Sequence, residues 1–188
     1  MSGRGRTPSQ TVGPYFAVGL TNERWPQVVP RDHPRAIRIR GRVVDGAGDP
    51  VPDAMVEIWQ ANEHGRYAHP ADAREELPLE EGFTGFGRCG TDGDGEFELV
   101  TVKPGPVPAP GGGMQAPHVE VSVFARGLLK RLVTRMYFPD EEGANAVDPV
   151  LALVPAEERP TLVAVPDGDA LRFDIHLQGD RQTAFFAL

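Results

Sequence analysis

The sequence predicts an all-β fold: an antiparallel β-sandwich with long loops and one or two short helices. Three observations lead there. Apolar and polar residues alternate with period two in several runs, turn-forming residues separate those runs, and hardly any segment sustains a helical period. The clearest run is Ile37–Val43, with Ile37, Ile39 and Val43 on one face and Arg38, Arg40 and Arg42 on the other. The arginine face reads as solvated or subunit-facing. Asp45-Gly-Ala-Gly-Asp-Pro50 follows with turn residues.

Further alternating runs are Ala54–Trp59, Glu96–Val102, Val119–Phe124, Arg131–Phe138 and Leu171–Gln178. Thr91-Asp-Gly-Asp-Gly95 has part of a calcium loop but lacks the bidentate Glu expected near its end, so it reads as a hairpin turn. Pro104–Gly113, dense in Pro and Gly, reads as an irregular loop. Helix is expected only where Asp148-Pro149 could cap and start a short turn through Val154.

A chain of 188 residues suits one domain over 1–188, with residues 1–36 as an extended N-terminal arm. The charge of −8, from 27 acidic and 19 basic residues, argues against nucleic acid, which demands a clustered basic footprint. It leaves room for a small anion, because a few focused arginines can govern one pocket. No stretch approaches the ~18 consecutive apolar residues of a membrane span, and the first residues lack a signal peptide's apolar core. The lone Cys89 excludes an internal disulfide. These features together predict a cytoplasmic location.

Several phrases, in order, resemble the intradiol ring-cleavage dioxygenases. They are Gly41-Arg-Val-Val-Asp-Gly46, Val51-Pro-Asp-Ala54, Val56-Glu-Ile-Trp-Gln-Ala-Asn62, Gly65-Arg-Tyr67, Thr91–Phe97, Thr101-Val-Lys-Pro-Gly-Pro106, Pro117-His118, Thr134-Arg-Met-Tyr-Phe138 and Leu171-Arg-Phe-Asp-Ile175. Thr7-Pro-Ser-Gln-Thr-Val-Gly-Pro-Tyr15 and Gln182–Phe186 resemble the iron-free chain of the family's two-chain branch, which acts on 3,4-dihydroxybenzoate. The resemblance implies a β-sandwich core and, in the assembled enzyme, Fe(III) held by two tyrosinates and two histidines. Phenolate is a hard anionic donor suited to ferric iron, and His-x-His on one strand aims both rings to one side.

Carried onto this chain, Tyr67 falls on the first tyrosine position and His118 on the first histidine. Val107 falls at or near the second tyrosine, Glu120 replaces the second histidine, and Gln115 replaces a substrate-polarising arginine. The resemblance therefore implies no metal and no catalytic residue on this chain, its iron being bound by a homologous partner β subunit. It also implies that Thr11, Gly13, Pro14 and Tyr15 of the arm, with Arg135, complete the partner's pocket for 3,4-dihydroxybenzoate, which reacts with O2. A guanidinium offers paired donors to the substrate carboxylate. Glu120, enclosed in a pocket, is expected to lie against a cationic or donor group. Two alternatives stay open: a self-sufficient dioxygenase with a metal site rebuilt from Tyr67, His118 and Glu120, and a transthyretin-like binding module.

Overall fold

A computed structural model describes residues 8–13 and 15–187. Helix α1 (Tyr15–Leu20) precedes strand β1 (Ala36–Val44). Within the segment expected to be an arm, Gln27 bridges to Val100, and Val28 and Val29 are buried. The alternation in β1 holds: Ile39, Gly41 and Val43 are buried, and the intervening arginines are partly exposed. Strands β2 (Met55–Trp59), β3 (Phe86–Gly90) and β4 (Glu96–Val102) come next, then the short pair β5 (Val107–Pro108) and β6 (Met114–Gln115). Strands β7 (His118–Phe124) and β8 (Leu132–Tyr137) lead to helix α2 (Glu142–Ala146). Strands β9 (Val165–Asp167), β10 (Ala170–Arg172) and β11 (Ile175–His176) close the chain.

Two sheets face each other. One is fully antiparallel, in the order β3-β2-β7-β8. In the other, β4 lies antiparallel on one edge of β1, while β10 and β11 lie parallel on its other edge. The sandwich is thus mixed where the alternation predicts antiparallel strands, because period two sets faces and leaves strand direction undetermined. Their inner faces share one core in which Val43, Val56, Leu99, Val119, Val123 and Ile175 are fully buried. Each such side chain contributes roughly 1.5–3 kcal/mol by leaving water.

The run Leu171–Gln178 divides at Phe173. There the Phe173 N–H donates to the Arg40 carbonyl at 2.7 Å, and Asp174 Oδ1 accepts the Arg42 N–H at 3.0 Å. Any side chain at Gly41 would drive its Cβ into the Phe173 carbonyl oxygen, so this close approach requires glycine. Thr91–Gly95 is a turn, but it carries the chain from β3 in one sheet to β4 in the other rather than closing a hairpin. Asp92 Oδ1 holds it by accepting the N–H groups of Asp94 at 3.0 Å and Glu96 at 2.9 Å.

The arginine face of β1 meets acidic residues. Glu98, opposite Arg40 on β4, receives Arg38 at 2.7 Å, Arg40 at 2.8 Å and Arg31 at 2.7 Å. Past β8, Asp148 starts the expected short turn, which is a 3-10 segment at Leu151–Leu153. Among the described residues no helix is long and apolar enough to cross a membrane.

Candidate functional site

The site forms where β2, β7 and β8 run side by side. Period two on β7 puts His118 and Glu120 on one face of the sheet, and the strand register supplies their neighbours. Glu120 lies opposite Trp59 of β2 and Arg135 of β8, and His118 lies opposite Tyr137. The loop after β2 brings Tyr67 back so that its ring stacks on Trp59, with centroids 6.0 Å apart. Gly65, at a φ of +77°, permits that return, since a Cβ there would overlap the Pro106 carbonyl. Asp72 then fixes the loop: it accepts the Tyr67 N–H at 2.8 Å and pairs with Arg74, whose charge holds its carboxyl well below the usual range.

Tyr67, Val107 and Gln115 line one cavity of about 560 Å³, together with Trp59, His69 and Arg74. The ladder of β5 and β6 places Val107 directly beside Gln115. The resemblance had grouped these positions, and the fold does bring them together. Val107 is buried and offers the cavity only carbon.

Glu120 has its cation. Its Oε1 lies 2.5 Å from Arg135 Nη2, and Arg135 Nη1 donates to Gln115 Oε1 at 2.7 Å. Gln115 in turn donates to the Pro108 carbonyl at 3.0 Å. The Arg135 side chain is only 14% exposed. Burial alone would lower its pKa, but the Glu120 carboxylate and the Tyr137 hydroxyl reverse that and raise it. Burial pushes the Tyr67 hydroxyl up, and the Glu120 charge adds to the effect.

His118 is 4% exposed, and its Nδ1 lies 2.7 Å from the Ala116 carbonyl. A carbonyl can only accept, so Nδ1 carries the proton and Nε2 the lone pair. Burial, then the Arg135 charge, lowers the His118 pKa and favours this neutral form. Its Nε2 is 3.7 Å from Glu120 Oε1. Behind these residues, buried Asp148 accepts the Tyr137 hydroxyl at 3.0 Å and the Ala116 N–H at 2.7 Å.

A ferric ion held by two phenolates and two imidazoles does not fit these residues. The resemblance puts one phenolate position at or near Val107 and one imidazole position at Glu120, whose carboxylate already carries a guanidinium. Among the described residues no group of three His, Cys, Asp or Glu is placed to hold a metal.

The arm residues occupy a different surface. Thr11 Oγ1 accepts the Gly127 N–H at 2.9 Å, the Gly13 carbonyl accepts the Phe16 N–H at 3.0 Å, and the Phe16 ring lies 5.6 Å from that of Phe124. Gly13 is exposed and Tyr15 is 84% exposed, while Pro14 lies outside the described residues. Next to Gly127, the exposed Arg126 side chain pairs with Asp53, and Arg131 lines a cavity with Gln10 and Val12 of the arm. Arg135, grouped with the arm in the sequence, is committed to its own chain's cavity instead.

The dioxygenase family model matches residues 12–179. The chain is 44% identical over 198 aligned positions to the protocatechuate 3,4-dioxygenase alpha chain of Burkholderia cepacia, with 96% of each chain covered. It is also 39% identical to the beta chain of that organism's enzyme, over 76% of this chain and 64% of that one. The solved structure of 3-chlorocatechol 1,2-dioxygenase from Rhodococcus opacus 1CP superposes with a TM-score of 0.59 at 24% identity, covering 93% of this chain and 72% of the other, a likeness of fold. A match of that extent, in sequence and in sandwich, means that this chain belongs to the dioxygenase family.

Proposed function

We propose that this chain is the non-catalytic, iron-free subunit of a two-chain protocatechuate 3,4-dioxygenase. A homologous, iron-bearing β-type chain completes it, and the pair cleaves 3,4-dihydroxybenzoate with O2 to 3-carboxy-cis,cis-muconate. One observation carries the reading: Glu120, at a position where an active chain of the family would need a metal donor, is bound instead by Arg135, which Gln115 also holds. Full-length similarity to an alpha chain, and weaker similarity to a beta chain, support the pairing. Ferric iron on the partner supplies the activation of the catechol ring toward oxygen.

The residues here select and orient. The substrate carboxylate lies across the ring from its hydroxyls, so the far end of the pocket requires donors. Thr11 already accepts from Gly127, which leaves its hydroxyl hydrogen to donate outward. Tyr15 exposes its phenol, and Arg126 offers a guanidinium beside the arm. Gly13 lets the backbone pass close to the ring. The resemblance assigns the carboxylate to Arg135, and Arg126 is a second guanidinium, next to Gly127.

Oxygen uptake on 3,4-dihydroxybenzoate by the reconstituted pair tests this. Arg126→Ala raises KM about tenfold or more, the loss of a charge-assisted contact of roughly 1.5–3 kcal/mol, with iron content unchanged. Oxygen consumption by this chain when purified free of any partner would refute the reading.

A further inference from the structure

We propose, on the reading above in which the arm completes the partner's pocket, that Arg88 is a positioning residue for the substrate. From the outer face of β3 it fixes the root of the arm that carries Thr11, Gly13 and Tyr15. Period two turns Arg88 away from Cys89, which packs in the shared core. On that outer face Glu57 of β2 lies opposite Arg88. Glu57 Oε1 accepts from Arg88 Nε at 2.7 Å and also from Nη2, which orients the guanidinium and leaves Nη1 to reach beyond the sheet. Arg88 Nη1 donates to the Leu20 carbonyl at 3.2 Å. Leu20 ends α1, so its carbonyl is one of those that a helix leaves without an internal partner. The last turn of α1 has no basic residue of its own, and the cation comes from β3 instead. The Arg88 side chain is only 16% exposed.

The same residue holds the chain that follows. The guanidinium carbon lies 4.6 Å from the centre of the Trp25 ring and 5.2 Å from that of Phe86. The Arg88 N–H donates to the Trp25 carbonyl at 2.8 Å. Asn22 Oδ1 folds the intervening turn by accepting the N–H groups of Arg24 and Trp25, each at 3.0 Å. Arg88 therefore grips the segment at Leu20 and again at Trp25, before Val28 bonds to Val100 of β4. A helix of six residues is a stiff spacer of about 9 Å, so holding its last carbonyl sets where Tyr15, its first residue, stands. Thr21, Asn22, Glu23 and Pro26 also wall a cavity of about 650 Å³ that Cys89 lines from the other side. That buried thiol reports whether the segment lifts.

Arg88→Gln combined with Glu57→Gln removes the guanidinium without stranding the Glu57 charge. Glu57→Gln alone leaves Arg88 an acceptor and is the reference. On the isolated full chain near pH 8, the double variant is expected to react with a disulfide reagent at Cys89 at least about threefold faster than the reference. In the pair reconstituted with the iron-bearing chain, its KM for 3,4-dihydroxybenzoate is expected to rise about threefold to tenfold, with kcat within about twofold and iron content unchanged. Trp25→Leu keeps Arg88 and Glu57 but removes the ring beneath the guanidinium, and is expected to move both readouts the same way. It is the second variant should the double one fail to fold, as judged by near-ultraviolet circular dichroism. Unchanged Cys89 labelling in the folded variants overturns the grip. Faster labelling with an unchanged KM overturns the positioning role and leaves the proposed function standing. A fall in kcat or in bound iron without a rise in KM does the same, being the mark of a general structural loss. Collapse of both variants also overturns the proposal, because a grip on the arm's root can be released from a sandwich that stands without it. A reconstituted unaltered pair that consumes no oxygen removes the proposed function and the positioning role together.

Discussion

Replacing Asp148 with alanine should unfold the wall behind the site more readily than any surface change. Its buried carboxylate accepts four hydrogen bonds: from the Ala116 N–H at 2.7 Å, the Tyr137 hydroxyl at 3.0 Å, the Val150 N–H at 2.9 Å and the Leu151 N–H at 2.7 Å. Those bonds join the strand leading to His118, strand β8 and the 3-10 turn at Leu151–Leu153. Alanine strands all four donors, and each buried, unpaired donor costs about 1–3 kcal/mol. Some find water in the space vacated, so the sum is not reached; about 3–5 kcal/mol is the expected loss. For a chain of this length, at about 2–4 °C per kcal/mol, the melting temperature falls by roughly 6–20 °C. Urea unfolding of the full chain at pH 7, followed by tryptophan fluorescence, measures it. Asp148→Asn, which keeps one acceptor oxygen, should lose less. A loss below about 1 kcal/mol in Asp148→Ala would mean the four contacts do not act as the tie described here.

Acid exposes the arginine face of β1. Burial would raise the Glu98 pKa, but hydrogen bonds from Arg40, Arg31 and Arg38 bring it down to about 2. An unfolded glutamate titrates near about 4.3, so across that window the unfolded chain binds more protons and stability is lost as pH is lowered. The contribution is whole above the unfolded value and is lost as pH drops toward the folded one. Glu98→Gln should therefore show a flatter decline in urea midpoint between about pH 5 and 2; parallel slopes would exclude Glu98 as a source of acid sensitivity. Burial pushes the Cys89 thiol up to about 12, so a disulfide reagent at pH 8 should label it only after urea is added. Rapid labelling of the native chain would contradict that burial.

The parts legible in the sequence were those that obey a local period. The alternation of β1 was readable because each residue's face depends only on its neighbours along the strand, and Ile39 and Val43 are buried as that rule requires. Asp148 was legible as a helix start because capping is a local exchange between one side chain and the next backbone N–H groups. The turn at Thr91–Gly95 was seen but not its path between sheets, since a tight turn looks the same whichever sheet receives the next strand. Strand β3, short and with glycines at Gly87 and Gly90, carried too weak an alternation to be read.

The candidate site divides along the same line. The resemblance named Tyr67, Val107, Gln115, His118 and Glu120 as a group, and the chemistry of a partly buried carboxylate asked for a cation beside Glu120. Which cation answers Glu120 was decided only by the register of β7 against β8, which sets Arg135 opposite it. Register depends on contacts between residues distant in the chain, and a shift of one position would have turned Arg135 to the other face of the sheet. Local pattern thus determined which face of a strand each residue takes, and long-range pairing determined which residues meet there.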